Sequence, residues 1–141
     1  MDNTQGWARM VWEGFPAWRK QWADGSSLVV AEQGAQVLSW RTADGREHLY
    51  LSPASARDGK TAIRGGVPVC FPQFNVRGPL PKHGFVRNLP WQLVDAGEQF
   101  VQLRIATSDA ARAFWPEAFE ALLRVDVGTG SLDMTLTVSN P

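Results

Sequence analysis

Residues 119–139 read Phe-Glu-Ala-Leu-Leu-Arg-Val-Asp-Val-Gly-Thr-Gly-Ser-Leu-Asp-Met-Thr-Leu-Thr-Val-Ser, and they decide the fold class. In the second half, Leu132, Met134, Leu136 and Val138 alternate with Asp133, Thr135, Thr137 and Ser139. A period of two sends the apolar set to one face of a strand and the polar set to the other, giving one buried and one wet face. Gly128-Thr129-Gly130 is the turn that joins this strand to the run at 119–127, so the segment is a hairpin.

Working outward, 91–94 and 100–106 form a second hairpin around Asp95-Ala96-Gly97. Ser108 is placed to cap a short helix over 109–114, stopped by Pro116. Upstream, strands over 27–31 and 36–42 meet at Gly34-Ala35. Asp44-Gly45 is a two-residue hairpin signal leading to a third strand over 48–51. Val11, Phe15, Trp18 and Trp22 sit at helical spacing, but Gly14 and Pro16 interrupt it, and a short strand over 17–21 fits at least as well. Residues 1–14 read as a polar lead without firm structure, which puts the domain at 15–141. The sum is seven to nine short antiparallel strands and little helix: an all-β protein, either a β-sandwich or an open barrel. The last strand runs to Asn140-Pro141 with nothing visible closing the sheet. It is either an edge strand or part of a longer sequence, and an open edge favours self-association.

The chain has 141 residues, 44% hydrophobic and 20% charged, which suits one globular domain. Lys plus Arg is 14 and Asp plus Glu is 14. That balance disfavours a general nucleic-acid or anionic-membrane binder and leaves room for a local basic site. Cys70 is the one cysteine, so no disulfide can form within the chain, as in a reducing compartment. Cys70 reads as a buried thiol. His48 and His83 are too far apart in sequence to suggest a zinc cluster, and His48 reads as a surface residue of its strand. No secretory pattern marks 1–14, and no apolar run approaches the roughly 20 residues of a membrane helix. The expectation is a soluble, cytoplasmic protein. Trp40 and Trp91 are expected to pack between sheets.

The stretch from Ser52 to Pro90 differs from the rest. It holds six of the nine prolines and Gly59, Gly65, Gly66, Gly78 and Gly84. Long loops in compact domains are functional or disordered, and Val67, Val69, Phe71, Phe74 and Phe85 argue against disorder. Within it lie Ile63-Arg64-Gly65-Gly66-Val67-Pro68 and Leu80-Pro81-Lys82-His83-Gly84-Phe85-Val86-Arg87-Asn88. Guanidinium forks grip phosphate or carboxylate, paired glycines let backbone approach a ligand, and aromatic faces suit a sugar ring. The chemistry is that of a site for a small, anionic, ring-shaped ligand. Phosphate-loop, dinucleotide and Gly-x-Ser-x-Gly signatures are absent from the sequence.

Those two segments, together with Gly34-Ala35-Gln36-Val37-Leu38-Ser39-Trp40 and the continuation Leu89-Pro90-Trp91, resemble the hexose-6-phosphate 1-epimerases. These belong to the aldose 1-epimerase (galactose mutarotase-like) superfamily. The resemblance runs over about 15–141, with the motifs in family order. It implies a β-supersandwich, of which this chain is the N-terminal part, and interconversion of the α and β anomers of a hexose 6-phosphate without metal or organic cofactor. It implies phosphate contacts from Arg64 and Arg87, a substrate contact from Lys82 (often Gln in relatives) and a pocket-lining His83. Gln73 stands where relatives often carry an aromatic residue, which would alter the pocket floor. Ring opening needs a base at the anomeric hydroxyl and an acid at the ring oxygen. In the family these are a Glu and a His in the second half of the fold, beyond residue 141, so this chain alone is expected to be inactive. The alternative is a sugar-phosphate binding module without chemistry.

Overall fold

A computed structural model describes residues 5–140. Its eight strands form two four-stranded antiparallel sheets, ordered β1-β2-β3-β4 and β5-β6-β7-β8. The first sheet comprises β1 (Ala8–Trp12), β2 (Phe15–Gln21), β3 (Ser27–Ala31) and β4 (Val37–Arg41). The second comprises β5 (Gln92–Ala96), β6 (Phe100–Ala106), β7 (Glu120–Gly128) and β8 (Ser131–Ser139). A 3₁₀ turn (Val86–Asn88) precedes β5, and α1 (Asp109–Arg112) separates β6 from β7. The helix is shorter than the predicted 109–114, but its cap is the expected one: Ser108 Oγ accepts from Ala111 N–H at 3.1 Å.

The strand patterns explain the layering. Val101, Leu103 and Ile105 of β6 and Ala121, Leu123, Val125 and Val127 of β7 are buried at alternate positions. They meet Leu28, Val30 and Val37 of the first sheet in the main core. β3 is buried at every position, because Val29 and Ala31 enter a second core with Phe15, Ala17, Leu38 and Ile63. The first sheet is thus covered on both faces, by the second sheet and by part of the long connection. Trp91 lies in the main core and Trp40 packs against it, as expected. Cys70 is only half-buried.

Three expectations change. The polar lead carries strand β1, paired with β2 from Ala8↔Arg19 to Trp12↔Phe15. Trp7 is 1% exposed, and its indole donates to Gly97 O at 3.0 Å. Residues 1–4 of that lead lie outside the described residues. The stretch 48–51 is not a strand. Glu47 Oε2 accepts from Trp40 N–H at 2.9 Å, which takes the donor a further ladder rung would need. What remains are isolated bridges, Arg41↔Glu47 and Leu51↔Gly65. Last, Leu136 and Val138 face the core side of β8, opposite Leu123 and Ala121, yet stay 41% and 42% exposed. Among the described residues, no helix is long and apolar enough to cross a membrane.

Candidate functional site

The connection from Ser52 to Pro90 folds back on itself and on β4. Gln36, fully buried, donates from Nε2 to Ile63 O at 3.1 Å and to Gly65 O at 2.5 Å, which brackets Arg64. Arg64 N–H donates to Ser55 Oγ, and Arg64 O accepts from Ser55 Oγ and Ser52 N–H. The Arg64 backbone is therefore fully bonded while its side chain stays exposed. Gln36 and Ser55 were not singled out in the sequence. Gln36 shows in the sequence only as a polar residue before an apolar strand, which does not reveal its partners, and Ser55 carries no local signal.

Gly65 and Gly66 serve the protein rather than a ligand. A Cβ would lie 2.2 Å from Tyr50 O at the first and 2.0 Å from Val37 O at the second, so the close approach they permit is to neighbouring backbone.

The second segment is anchored by Val86, fully buried, whose carbonyl accepts from the Trp91 indole at 2.9 Å. The 3₁₀ turn then presents Arg87. Its Nη2 donates to Lys82 O at 3.1 Å, and its buried Nε has no partner among the described residues. Arg64, Lys82, His83 and Arg87 together with Thr61, Ala62 and Ile63 line one hollow of about 360 Å³. All four predicted residues thus share one concave surface. Among the described residues no carboxylate lines it, and no ion pair involves Arg64, Lys82 or Arg87. The chain is neutral overall, so this is a local concentration of uncompensated positive charge.

His83 is held at Nδ1, which accepts from Asn75 N–H at 2.9 Å. That bond assigns the proton of the neutral ring to Nε2. Burial, then Arg87, then Lys82 push its pKa below the ordinary 6.5, which favours the uncharged ring. Gln73 does not line this hollow. It faces a neighbouring one with Phe74, Arg77 and Trp115, so it is no part of the floor expected for it. His48 is exposed as expected, with its ring 4.6 Å from that of Trp40.

The wall carrying Thr61 is shaped by Asp58, whose carboxylate accepts from Lys60 N–H, Thr61 N–H and Thr61 Oγ1. These bonds, led by the Thr61 hydroxyl, hold Asp58 down at about 2 from an ordinary 3.8. A carboxylate depressed in the folded state stabilises fully above its unfolded value and loses that contribution as pH falls through the folded one. Asp58→Ala is therefore expected to flatten the acid dependence of unfolding between about pH 4 and 2. Circular dichroism against pH checks this, and an unchanged slope would count against the turn as drawn.

The two-sheet antiparallel sandwich is an architecture with known relatives. The chain belongs to the aldose 1-epimerase family, whose sequence profile matches residues 19–141. It is 42% identical over 104 residues to the "putative glucose-6-phosphate 1-epimerase" of Escherichia coli K12, covering 70% of this chain and 35% of that protein. Among solved structures it resembles a "putative mutarotase" from Salmonella typhimurium. There the TM-score is 0.83 and the identity 32%, over 98% of this chain and 48% of that one. The fold alone is shared with a galactose mutarotase related enzyme from Lactobacillus acidophilus, at TM-score 0.73 and 19% identity over 88% of this chain and 43% of that one. The chain spans about a third of the length of the curated relatives it matches.

Proposed function

We propose that this chain is the substrate-gripping part of a hexose-6-phosphate 1-epimerase, with Arg64, Lys82 and Arg87 holding the phosphate and His83 lining the sugar end. The observation that carries this is the convergence of three cations in a hollow with no carboxylate. Like charges gathered around one hollow repel one another, and solvent screens part of that repulsion. A dianionic phosphate monoester is the ligand that such a set of cations attracts. A guanidinium gives two parallel bonds to phosphate oxygens, and Arg87, whose one side-chain bond among the described residues is from Nη2 to Lys82 O, keeps further donors on its fork for them. The hollow is of small-ligand size, and its cationic wall disfavours a metal ion. His83, uncharged and carrying its proton on Nε2, offers one neutral N–H.

Anomer exchange further needs an acid at the ring oxygen and a base at the anomeric hydroxyl. We assign both to the His and Glu expected outside residues 1–141, and read this chain alone as a binder that does not turn over. Titration calorimetry tests the grip: glucose 6-phosphate binds and glucose does not. Equal affinity for the two sugars overturns it. Saturation-transfer NMR on the same samples tests the chemistry, and faster anomer exchange with this chain alone would move proton transfer onto His83.

A further inference from the structure

We propose that Gln73 is a positioning residue. Its carboxamide holds the 75–81 loop so that Asn75 N–H occupies Nδ1 of His83, leaving Nε2 as the one ring nitrogen available to a ligand in the hollow. Use of that nitrogen rests on the phosphate reading above; the clamp itself does not.

Gln73 is 9% exposed, whereas Phe74 through Pro79 are all exposed. Its Nε2 donates to Asn75 O at 2.8 Å and Leu80 O at 3.0 Å, with Pro81 O at 3.3 Å, and its Oε1 accepts from Leu80 N–H at 2.9 Å. One amide thus ties both ends of a loop that has no regular structure. Asn75 and His83 then exchange two bonds: His83 N–H donates to Asn75 O at 3.0 Å, and Asn75 N–H donates to His83 Nδ1 at 2.9 Å. Asn75 O is the shared atom, accepting from both Gln73 and His83. Asn75 and His83 lie at φ +52° and +64°, in the left-handed region, where a non-glycine residue persists only when its surroundings hold it. Phe74 covers the imidazole, with ring centroids 5.0 Å apart. The charged groups lining the hollow with the imidazole are Arg64, Lys82 and Arg87; burial, then Arg87 and Lys82, oppose its protonation alongside the Asn75 bond. A proton cannot join Nδ1 without breaking that bond, so the clamp fixes the tautomer as well as the place of the ring.

The test is long-range ¹H–¹⁵N NMR of the chain labelled in its histidine rings, with Gln73→Met as the variant that keeps length and loses all the amide's bonds. In the parent, His83 shows an unprotonated Nδ1, a protonated Nε2 and protonation displaced to lower pH than an ordinary histidine. In Gln73→Met the proton affinity of His83 rises about fivefold, the worth of one neutral hydrogen bond, and the Asn75 amide exchanges faster. The His48 signals, unchanged, report an intact fold. A parent ring with its proton on Nδ1, or a folded Gln73→Met with unchanged His83 titration, overturns the proposal. Should Gln73→Met fail to fold, hydrogen exchange in the parent decides: protection of the Asn75 and Leu80 amides supports the clamp, and free exchange at both overturns it. Glucose 6-phosphate is then titrated into the parent. If it does not bind, the phosphate reading fails while the clamp stands on the ring signals.

Discussion

Replacing Arg87 with Ala is expected to weaken glucose 6-phosphate binding by about 10- to 150-fold, the loss of a charge-assisted bond of about 1.5–3 kcal/mol. Arg64→Ala is expected to fall in the same range. Stability should barely follow, because the Arg64 side chain is exposed and Arg87 offers the protein only its bond to Lys82 O. Arg87→Lys separates charge from shape. It keeps the positive charge but loses the planar fork, so it should recover part of the affinity and not all. If both arginines touch one phosphate, the double variant loses less than the sum of the single losses. Affinity should also fall as salt is raised, since the hollow is partly open to solvent. Calorimetry at two salt concentrations measures all of this. An Arg87→Ala chain that binds as tightly as its parent would mean that the phosphate sits elsewhere.

Legibility in the sequence followed the range of the forces involved. β7 and β8 were plain, because their alternation and their Gly-Thr-Gly turn are local. So was the Ser108 cap, one hydroxyl three residues from its amide. β1 was hidden because its hairpin turn is Glu13-Gly14. Both residues have positive φ, +51° and +88°, and Glu is a poor signal for the first of them. Trp7 is buried through a partner ninety residues away, which no window of sequence reveals. The hairpin signal at Asp44-Gly45 implied a strand over 48–51, which fails for a specific reason: the Glu47 carboxylate takes the Trp40 amide and the Ser39 hydroxyl. The four candidate residues of the hollow could be picked out because they stand in segments that resemble the family's motifs; charge among glycines and aromatics alone fits a surface arginine as well. Their supports could not be. Gln36, Ser55 and Gln73 act through backbone atoms whose positions exist only once the crossover has folded.

The largest loss of stability is expected from Gly84→Ala. Gly84 has φ +76°, and a Cβ there would lie 2.1 Å from Phe71 O, 2.4 Å from Phe71 C and 2.8 Å from Pro72 N. The obstacle is backbone, and it is pinned. Phe71 O accepts from Phe85 N–H at 3.1 Å, and Phe71 and Gly84 form a parallel bridge. Phe85 is fully buried, stacked 5.4 Å from Phe114 and edge-on to Phe119 at 5.9 Å, so the second segment cannot retreat into the core. Left-handed strain of about 1–3 kcal/mol adds to the displacement of two strands of chain, for a total of about 3 kcal/mol or more. For a chain of this size that lowers Tm by about 10 °C. Gly45→Ala isolates the strain alone: φ is +85°, but nothing lies within 4 Å of the added carbon. It should cost about 1–2 kcal/mol. The two variants also differ at the hollow. Gly84 follows His83 directly, so moving it breaks the exchange of bonds with Asn75 and takes phosphate binding with it, whereas Gly45→Ala leaves binding unchanged. Thermal unfolding of both variants, paired with glucose 6-phosphate titration below the lower Tm, reads the two effects separately. A Gly84→Ala chain as stable as Gly45→Ala would show that the crossover yields where it is drawn as rigid, and the placement of His83 would have to be rebuilt.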